Sequence, residues 1–252
     1  MCPPLSPSVQ AWRDLCAQYG SDLDSRATDR LLQWIAIESC GNPCSLDATR
    51  KAALASGHVP DVGPFQLYFE TAQTTIGGYT SAQLRAGCVG TSQSGSVSAA
   101  TRDLQASVSI QWLRDSIASQ NAVLNGLGVS WSERDRWRWY KFSTHGLPAV
   151  AVCMLPLVVQ QLGRPPADWD EFRSTCETMD RSVIQAAAAD PAANDCTACL
   201  SVAGLWETAF NNAEEMDLVD ESAAGVFGFV GLDMSTGLAL LGLGLLYWFF
   251  LR

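Results

Sequence analysis

The sequence is poor in positive charge and in histidine. Its 252 residues contain 16 Lys and Arg against 26 Asp and Glu, which gives a net charge of −10. Because such a chain has little to offset the repulsion of phosphates, we expect no nucleic-acid partner. The two histidines, His58 and His145, are interpreted as structural and are assigned no catalytic role.

The cysteines lack the pattern of a metal site. Cys196 and Cys199, in the stretch CTAC, have the spacing of a zinc half-site, but zinc needs four ligands and the second pair is missing. We therefore expect neither a metal nor a cofactor. The nine cysteines are odd in number, so at least one is free or pairs between chains. Cys40 and Cys44 leave two interpretations open: a local disulfide, or two small buried residues.

No stretch shows the sustained polar–apolar alternation of a half-buried strand, and helical periodicity dominates. We therefore expect a mainly α fold. Helices are predicted over residues 9–19, 28–39, 46–55, 68–76 and 99–124. The stretch SWSE, Ser130 to Glu133, has the form of a capping box that opens a further helix. The basic and aromatic residues of that helix predict that its Trp side chains face the core and its Arg side chains face solvent. The alternative is a surface on which sugars stack.

Charge is absent from Met234–Leu251, which reads MSTGLALLGLGLLYWFFL. Its length fits the roughly 17–25 residues of a spanning helix, and its Tyr-Trp pair suits a membrane interface. We expect a single C-terminal transmembrane helix with lipid as its partner. The alternative is an apolar helix that docks into a soluble core or an oligomer. The N-terminal stretch MCPPLSPSVQ shows no secretory signal.

One carboxylate stands out because it follows a strongly apolar run. The predicted helix over residues 28–39 carries Leu31, Leu32, Trp34, Ile35 and Ile37, and Glu38 comes directly after them. Since burial disfavours the charged form, we expect a raised pKa at Glu38 and a carboxylic acid able to protonate a leaving group. The alternative is a helix-end Glu that turns to solvent or pairs with an Arg.

Three stretches occur in a recognisable order: ESCGNP at residues 38–43, DVGPFQLYFETA at 61–72 and YKFSTHGLP at 140–148. In that order they resemble the lytic transglycosylases of the soluble and goose-type lysozyme-like superfamily. The resemblance covers residues 27–163. The third stretch departs from the family, because Lys141 stands where the family more often has Asn.

The resemblance implies that Glu38 is the sole catalytic acid and base. It would protonate the leaving oxygen of the MurNAc–GlcNAc bond in peptidoglycan and then activate the sugar's own 6-hydroxyl, leaving a 1,6-anhydro end. It also implies substrate-site roles for Ser39, Gln66 and Tyr140, which would orient Glu38, contact a substrate amide and hydrogen-bond near the acid. The alternatives are a plain helix C-cap, a polar residue at the start of the next helix and a core aromatic, in the same order.

Two other functions stay open. Asp61 or Glu70 would supply a second carboxylate and make the enzyme a hydrolytic lysozyme of the same fold. Alternatively, the domain is a catalytically dispensable scaffold, and the apolar tail, with glycines such as Gly242 and Gly244, forms part of a membrane-inserted virion channel.

The predicted organisation has three parts: a lysozyme-like domain over residues 1–165, an acidic helical segment or stalk over 166–222, and a membrane anchor over 223–252. A C-terminal span without a signal would leave the domain in the cytosol, away from peptidoglycan. Carriage in a bacteriophage particle solves this. We therefore expect a protein of the virion's internal membrane, or one ejected into the host envelope during genome entry, with other virion proteins as partners. A bacterial envelope protein is the alternative.

Overall fold

The computed structural model describes residues 6–46, 61–69, 71–89, 94–146, 148–189 and 206–217. These are mainly helical, so the predicted fold class is confirmed at that level. The helices are α1 (Pro7–Gln10), α2 (Arg13–Gly20), α3 (Ala27–Ser39), α4 (Ser81–Leu84), α5 (Ala99–Gly126), α6 (Glu133–Lys141), α7 (Pro148–Leu162), α8 (Trp169–Thr178), α9 (Arg181–Ala189) and α10 (Trp206–Glu214). A π-helical turn, Phe142–Gly146, follows α6, and a 3-10 turn, Glu215–Asp217, follows α10.

A short hairpin replaces the end of one predicted helix. Strand β1 (Thr75–Ile76) pairs antiparallel with β2 (Tyr79–Thr80), and Gly77 and Gly78 between them have φ of 58° and 84°. Two consecutive positive φ values form the turn that best matches the twist of paired strands. The helix predicted over residues 68–76 is therefore wrong, because the two glycines favour the turn over continuation of a helix.

The start of α6 also differs from its predicted cap. Ser132, rather than Ser130, accepts the hydrogen bond that caps the helix, from the Asp135 backbone N–H at 3.2 Å. A Ser two residues nearer to the helix thus satisfies one of the unpaired amides of the first turn.

The larger of two hydrophobic clusters in the described residues extends from the first helices to the last. Helix α3 buries Leu31, Leu32, Trp34, Ile35 and Ala36, as its apolar run predicts. An aromatic cluster extends this core through α6, α8 and α10, with Trp131, Trp139, Phe142, Trp169, Phe172 and Phe210 in contact. Residues 1–216 form one compact unit and residues 217–252 a second. The boundary predicted at residue 165 lies inside the first unit.

Disulfides stabilise this unit. Cys44 bonds to Cys88, so a disulfide between Cys40 and Cys44 is wrong. Cys40 is also part of a disulfide, and so is Cys153. The two remaining described cysteines, Cys16 and Cys176, are buried thiols. Burial raises the pKa of the Cys16 thiol to about 12, so this thiol is unreactive at neutral pH.

Several predictions concern segments that the structure does not describe. The predicted transmembrane helix, Met234–Leu251, lies outside the described residues, and so do the CTAC stretch and residues 47–55 of the helix predicted over residues 46–55. Within the described ranges, none of the helices combines the length and the apolar character that a membrane span requires.

Candidate active site

The turn after α3 is built on a close approach to the N-terminal helix. The helix ends at Ser39; Cys40 is its C-cap, with φ of 57°, and Gly41 follows with φ of 77°. A Cβ on Gly41 would lie 2.4 Å from the Ser8 carbonyl oxygen, so only glycine fits there. Two hydrogen bonds hold the contact: Trp12 Nε1 donates to the Gly41 carbonyl at 2.9 Å, and Ser8 Oγ donates to the Cys40 carbonyl at 2.8 Å. The end of α3 is therefore fixed on one side by α1 and by the indole of Trp12.

Glu38 lies one residue before the end of α3, where the helix leaves the core. Its side chain is 17% exposed, whereas Trp34 and Ile35 are fully buried. Oε1 of Glu38 contacts Nζ of Lys141, the last residue of α6, in an ion pair.

Lys141, at the position where the resemblance calls for Asn, is a buried basic residue of this site. Its side chain is 3% exposed, and Nζ lies 4.7 Å from the centre of the Trp34 ring. Burial lowers the pKa of Lys141 to about 7, and the negative charge of Glu215 acts in the opposite direction. Burial also raises the pKa of Glu215, against the smaller effect of the Lys141 charge. Glu38, Lys141 and Glu215 thus bring two carboxyl groups and one amine into electrostatic contact.

Ser39 connects the first sequence stretch with the second. Its hydroxyl lies 3.1 Å from the Ile35 carbonyl and 2.9 Å from the Pro64 carbonyl, to which it donates, and it accepts from the Gly41 N–H at 3.1 Å. The first of these contacts is the usual bond of a helical serine to the preceding turn. The second ties the end of α3 to the loop over residues 61–69, and the third closes the turn at Gly41. Ser39 therefore helps to fix the turn that follows Glu38.

Gln66 lies in a tight turn rather than at the start of a helix. Val62 and Leu67 exchange both backbone hydrogen bonds at 2.9 Å, and Gly63 and Gln66 between them have φ of 77° and 52°. The Gln66 side chain is buried, and its Nε2 donates to the Gly63 carbonyl at 2.7 Å. A left-handed conformation at a non-glycine residue is unusual and marks a strained functional or structural turn. In this structure the Gln66 amide closes its own loop.

A second glutamine, which sequence reasoning missed, joins these loops. Gln105 on α5 is 1% exposed, and its Nε2 donates to the carbonyls of Pro43 and Leu84, both at 2.8 Å. The Pro43 carbonyl belongs to the turn after Glu38. In the sequence, Gln105 is a polar residue next to Leu104 and Val108, which are predicted to face the core. Helical periodicity by itself does not identify the hydrogen-bond partners of Gln105.

Tyr140 belongs to a neighbouring cluster. Its hydroxyl donates to Asn121 Oδ1 at 2.7 Å, and its ring packs edge-on against Trp137. Both rings line a small cavity of about 60 Å³, and Asp24 and Glu133 line it as well. Burial raises the pKa of the Tyr140 hydroxyl. The hydroxyl is thus engaged by α5, while the adjacent residue, Lys141, contacts Glu38.

The sequence also predicted a second carboxylate, at Asp61 or Glu70, and a basic stretch on α6. Asp61 is half-buried at the start of the loop that carries Gln66. Glu70 lies outside the described residues. The basic stretch of α6 only partly follows the expected inward and outward arrangement, because Arg138 is buried and pairs with Asp135 at 3.3 Å and with Asp170 at 3.1 Å.

A separate groove of about 620 Å³ lies between α2 and α5, and none of the four predicted site residues lines it. Within the ranges that the structure describes, no three His, Cys, Asp or Glu side chains gather as metal ligands would. Comparisons of the chain with protein-family models, with curated proteins and with solved structures found no match.

Proposed function

We propose that this protein is a lytic transglycosylase of lysozyme-like fold that cleaves the MurNAc–GlcNAc β-1,4 bond of peptidoglycan, with Glu38 as the acid. The observation that carries the proposal is the position of Glu38. Its carboxyl group is partly exposed at the end of an otherwise buried helix. Ser39 and the Gly41 contact hold that helix end from two sides. A rigid, partly dry carboxyl group is what general-acid catalysis of glycoside cleavage needs.

The reaction follows from a single acid. Glu38 gives its proton to the glycosidic oxygen as the C1–O4 bond breaks, and the N-acetyl group of muramic acid stabilises the positive charge at C1. The Glu38 carboxylate then takes the proton of the 6-hydroxyl as the C1–O6 bond forms. Because the 6-hydroxyl belongs to the same sugar, its effective concentration exceeds that of bulk water. The product is a 1,6-anhydro end.

The disulfides support a location outside the cytoplasm, where peptidoglycan lies. Of the six cysteines in the described part of the chain, four are disulfide-bonded. Disulfides persist mainly in oxidising compartments. We extend the proposal to the membrane anchor at residues 234–251, and to carriage in a bacteriophage particle that opens the wall locally during genome entry.

One observation favours the hydrolytic alternative. Glu215 is a second carboxyl group that interacts electrostatically with Lys141, the partner of Glu38. An inverting hydrolase uses such a group to activate water on the far face of the sugar, at roughly 6.5–9.5 Å from the acid. Glu215 therefore joins Asp61 as a candidate base.

Mass spectrometry of a digest of purified peptidoglycan separates the two mechanisms. We expect the full-length protein to release anhydro ends, which are lighter than hydrolysed ends by one water. Glu38→Gln should abolish cleavage, because the amide keeps the shape of the side chain but has no acidic proton. Glu177→Gln is the matched control, since Glu177 is an exposed residue of α8 that pairs with Arg173. Dominant reducing ends that disappear in Glu215→Gln would establish the hydrolase instead, and full activity of Glu38→Gln would refute both.

A further inference from the structure

We propose that Lys141 is a positioning residue that shares one proton with Glu38, so that a bound glycan, by drying the site, moves this proton from Lys141 Nζ to the Glu38 carboxyl group. This inference rests on the proposed function. It assigns to Lys141 the task of keeping Glu38 supplied with the proton that it donates.

The packing of two helices fixes this pair. Trp34 and Glu38 lie one turn apart on α3, and Trp137 and Lys141 lie one turn apart on α6, so each pair shares one helix face. The two indoles meet edge to face, with their centres 6.3 Å apart. One turn further along both helices, Lys141 Nζ reaches the Glu38 carboxylate. The contact is therefore set by a rigid aromatic pair beneath it.

The surroundings let the amine exchange its proton near neutral pH. The Lys141 side chain is 3% exposed, and the Trp34 ring covers Nζ on one side. The charged groups that face it are Glu38 from α3 and Glu215 from the 3-10 turn. Burial lowers the pKa of Lys141 to about 7 in spite of the negative charge of Glu215. An arginine at this position would remain charged, because a guanidinium keeps its proton throughout the pH range in which proteins work.

The pair holds its single proton in one of two forms. In one form an ammonium faces a carboxylate, and in the other a neutral amine faces a carboxylic acid. Water favours the charged form, and its removal favours the neutral form, because separated charges are costly in a medium of low dielectric constant. When a glycan strand displaces water, the proton leaves Nζ for the carboxyl group. Glu38 passes it to the leaving oxygen and recovers one from the 6-hydroxyl, so the pair ends with the proton it began with.

Two substitutions separate the charge of Lys141 from its ability to release a proton. Lys141→Arg keeps the charge but cannot release the proton, so Glu38 stays ionised, and we expect kcat/KM on purified peptidoglycan to fall by about 100-fold or more. Lys141→Met keeps the length but removes the basic nitrogen. The alkaline limb of kcat/KM then reports Glu38 alone, and we expect it to move to lower pH by about one unit or more.

The pH profile distinguishes proton sharing from a structural role. A structural role would lower kcat/KM evenly at all pH values and leave the alkaline limb in place. A wild-type rate and profile for Lys141→Arg, or an unmoved alkaline limb for Lys141→Met, would overturn the inference. A limb that moves to higher pH in Lys141→Met, with a faster rate at neutral pH, would also overturn it, because Lys141 would then hold Glu38 in its inactive carboxylate form.

A spectroscopic measurement tests the pair without activity and without a substitution at Lys141. The protein is labelled with ¹³C at the Glu carboxyl carbon and with ¹⁵N at Lys Nζ, and Glu38→Gln identifies the Glu38 signal. We expect the two groups to titrate together in the wild type. The Lys141 midpoint should fall in Glu38→Gln, since removal of a neighbouring anion disfavours the ammonium. A Lys141 midpoint near 10.4, unaffected by Glu38→Gln, would overturn the inference.

The activity test and the titration test distinguish a failure of the proposed function from a failure of the shared proton. Coupled titration in a protein that leaves peptidoglycan intact would refute the proposed function and leave the shared proton supported. Cleavage that depends on Glu38, together with independent titration of the two groups, would refute the shared proton and leave the proposed function supported.

Discussion

Replacement of Gly41 by alanine should destabilise the protein well beyond the usual cost of a glycine substitution. Gly41 has φ of 77°, and a Cβ there would lie 2.4 Å from the Ser8 carbonyl oxygen and 2.8 Å from the Val9 nitrogen. Both neighbours are backbone atoms of α1 and cannot turn aside as a side chain would. The substitution therefore has to displace either α1 or the turn after Glu38.

The magnitude has two parts. A left-handed φ costs an L-residue about 1–2 kcal/mol. The overlap with α1 adds about 2 kcal/mol or more, either as strain or through weakening of the hydrogen bond from the buried Trp12 indole. We therefore expect a loss of about 3–5 kcal/mol in the free energy of unfolding, together with lower activity because the end of α3 moves.

Gly78→Ala is the matched control. Gly78 has φ of 84°, close to that of Gly41, but nothing lies within 4 Å of its Cβ position. It should lose only the conformational part, about 1–2 kcal/mol. Urea unfolding of the full-length variants, followed by Trp fluorescence, gives the difference directly. Equal losses in the two variants would refute the close approach of α1 to the turn that carries Glu38.

Two further predictions concern stability. Replacement of both Cys44 and Cys88 by serine should lower the free energy of unfolding by about 4 kcal/mol, because the disulfide closes a chain segment with a sequence separation of 44. Denaturant unfolding measures this loss, and an unchanged midpoint would contradict a stabilising role of the disulfide. Glu133→Gln should flatten the pH dependence of stability. Burial and a hydrogen bond to Asp24 raise the pKa of Glu133 in the folded protein. The contribution of Glu133 to the free energy of unfolding is therefore present at low pH, and it is lost as the pH rises from the unfolded pKa, about 4.3, through the raised folded pKa. Unfolding curves between pH 4 and 8 test this, and parallel slopes in the two proteins would speak against it.

The candidate site shows which parts of a site can be predicted locally. The spacing of apolar residues placed α3 in the core and Glu38 at its end, since a helical period of 3.6 residues assigns each side chain to a face. These features depend on neighbours in the chain.

The neighbours of Glu38 in space depend on helix packing instead. Its ion pair with Lys141 joins residues on α3 and α6, and periodicity does not say which residues of two helices will meet. For the same reason the pairing of Cys44 with Cys88 was missed, although both cysteines were visible in the sequence. The hydrogen bonds of Gln66 and Tyr140 likewise became clear only from the folded chain.

The sequence by itself thus determined a mainly α protein with a carboxylic acid at the exit of a buried helix, because hydrophobic patterning is a local property that burial acts on directly. Only the tertiary structure decided the environment of that acid. It buried an amine against the carboxylate and brought the charge of Glu215 into electrostatic range of that amine, and these effects depend on distance and on the exclusion of water. Both quantities arise when the helices pack, so the chemistry of Glu38 is a property of the fold.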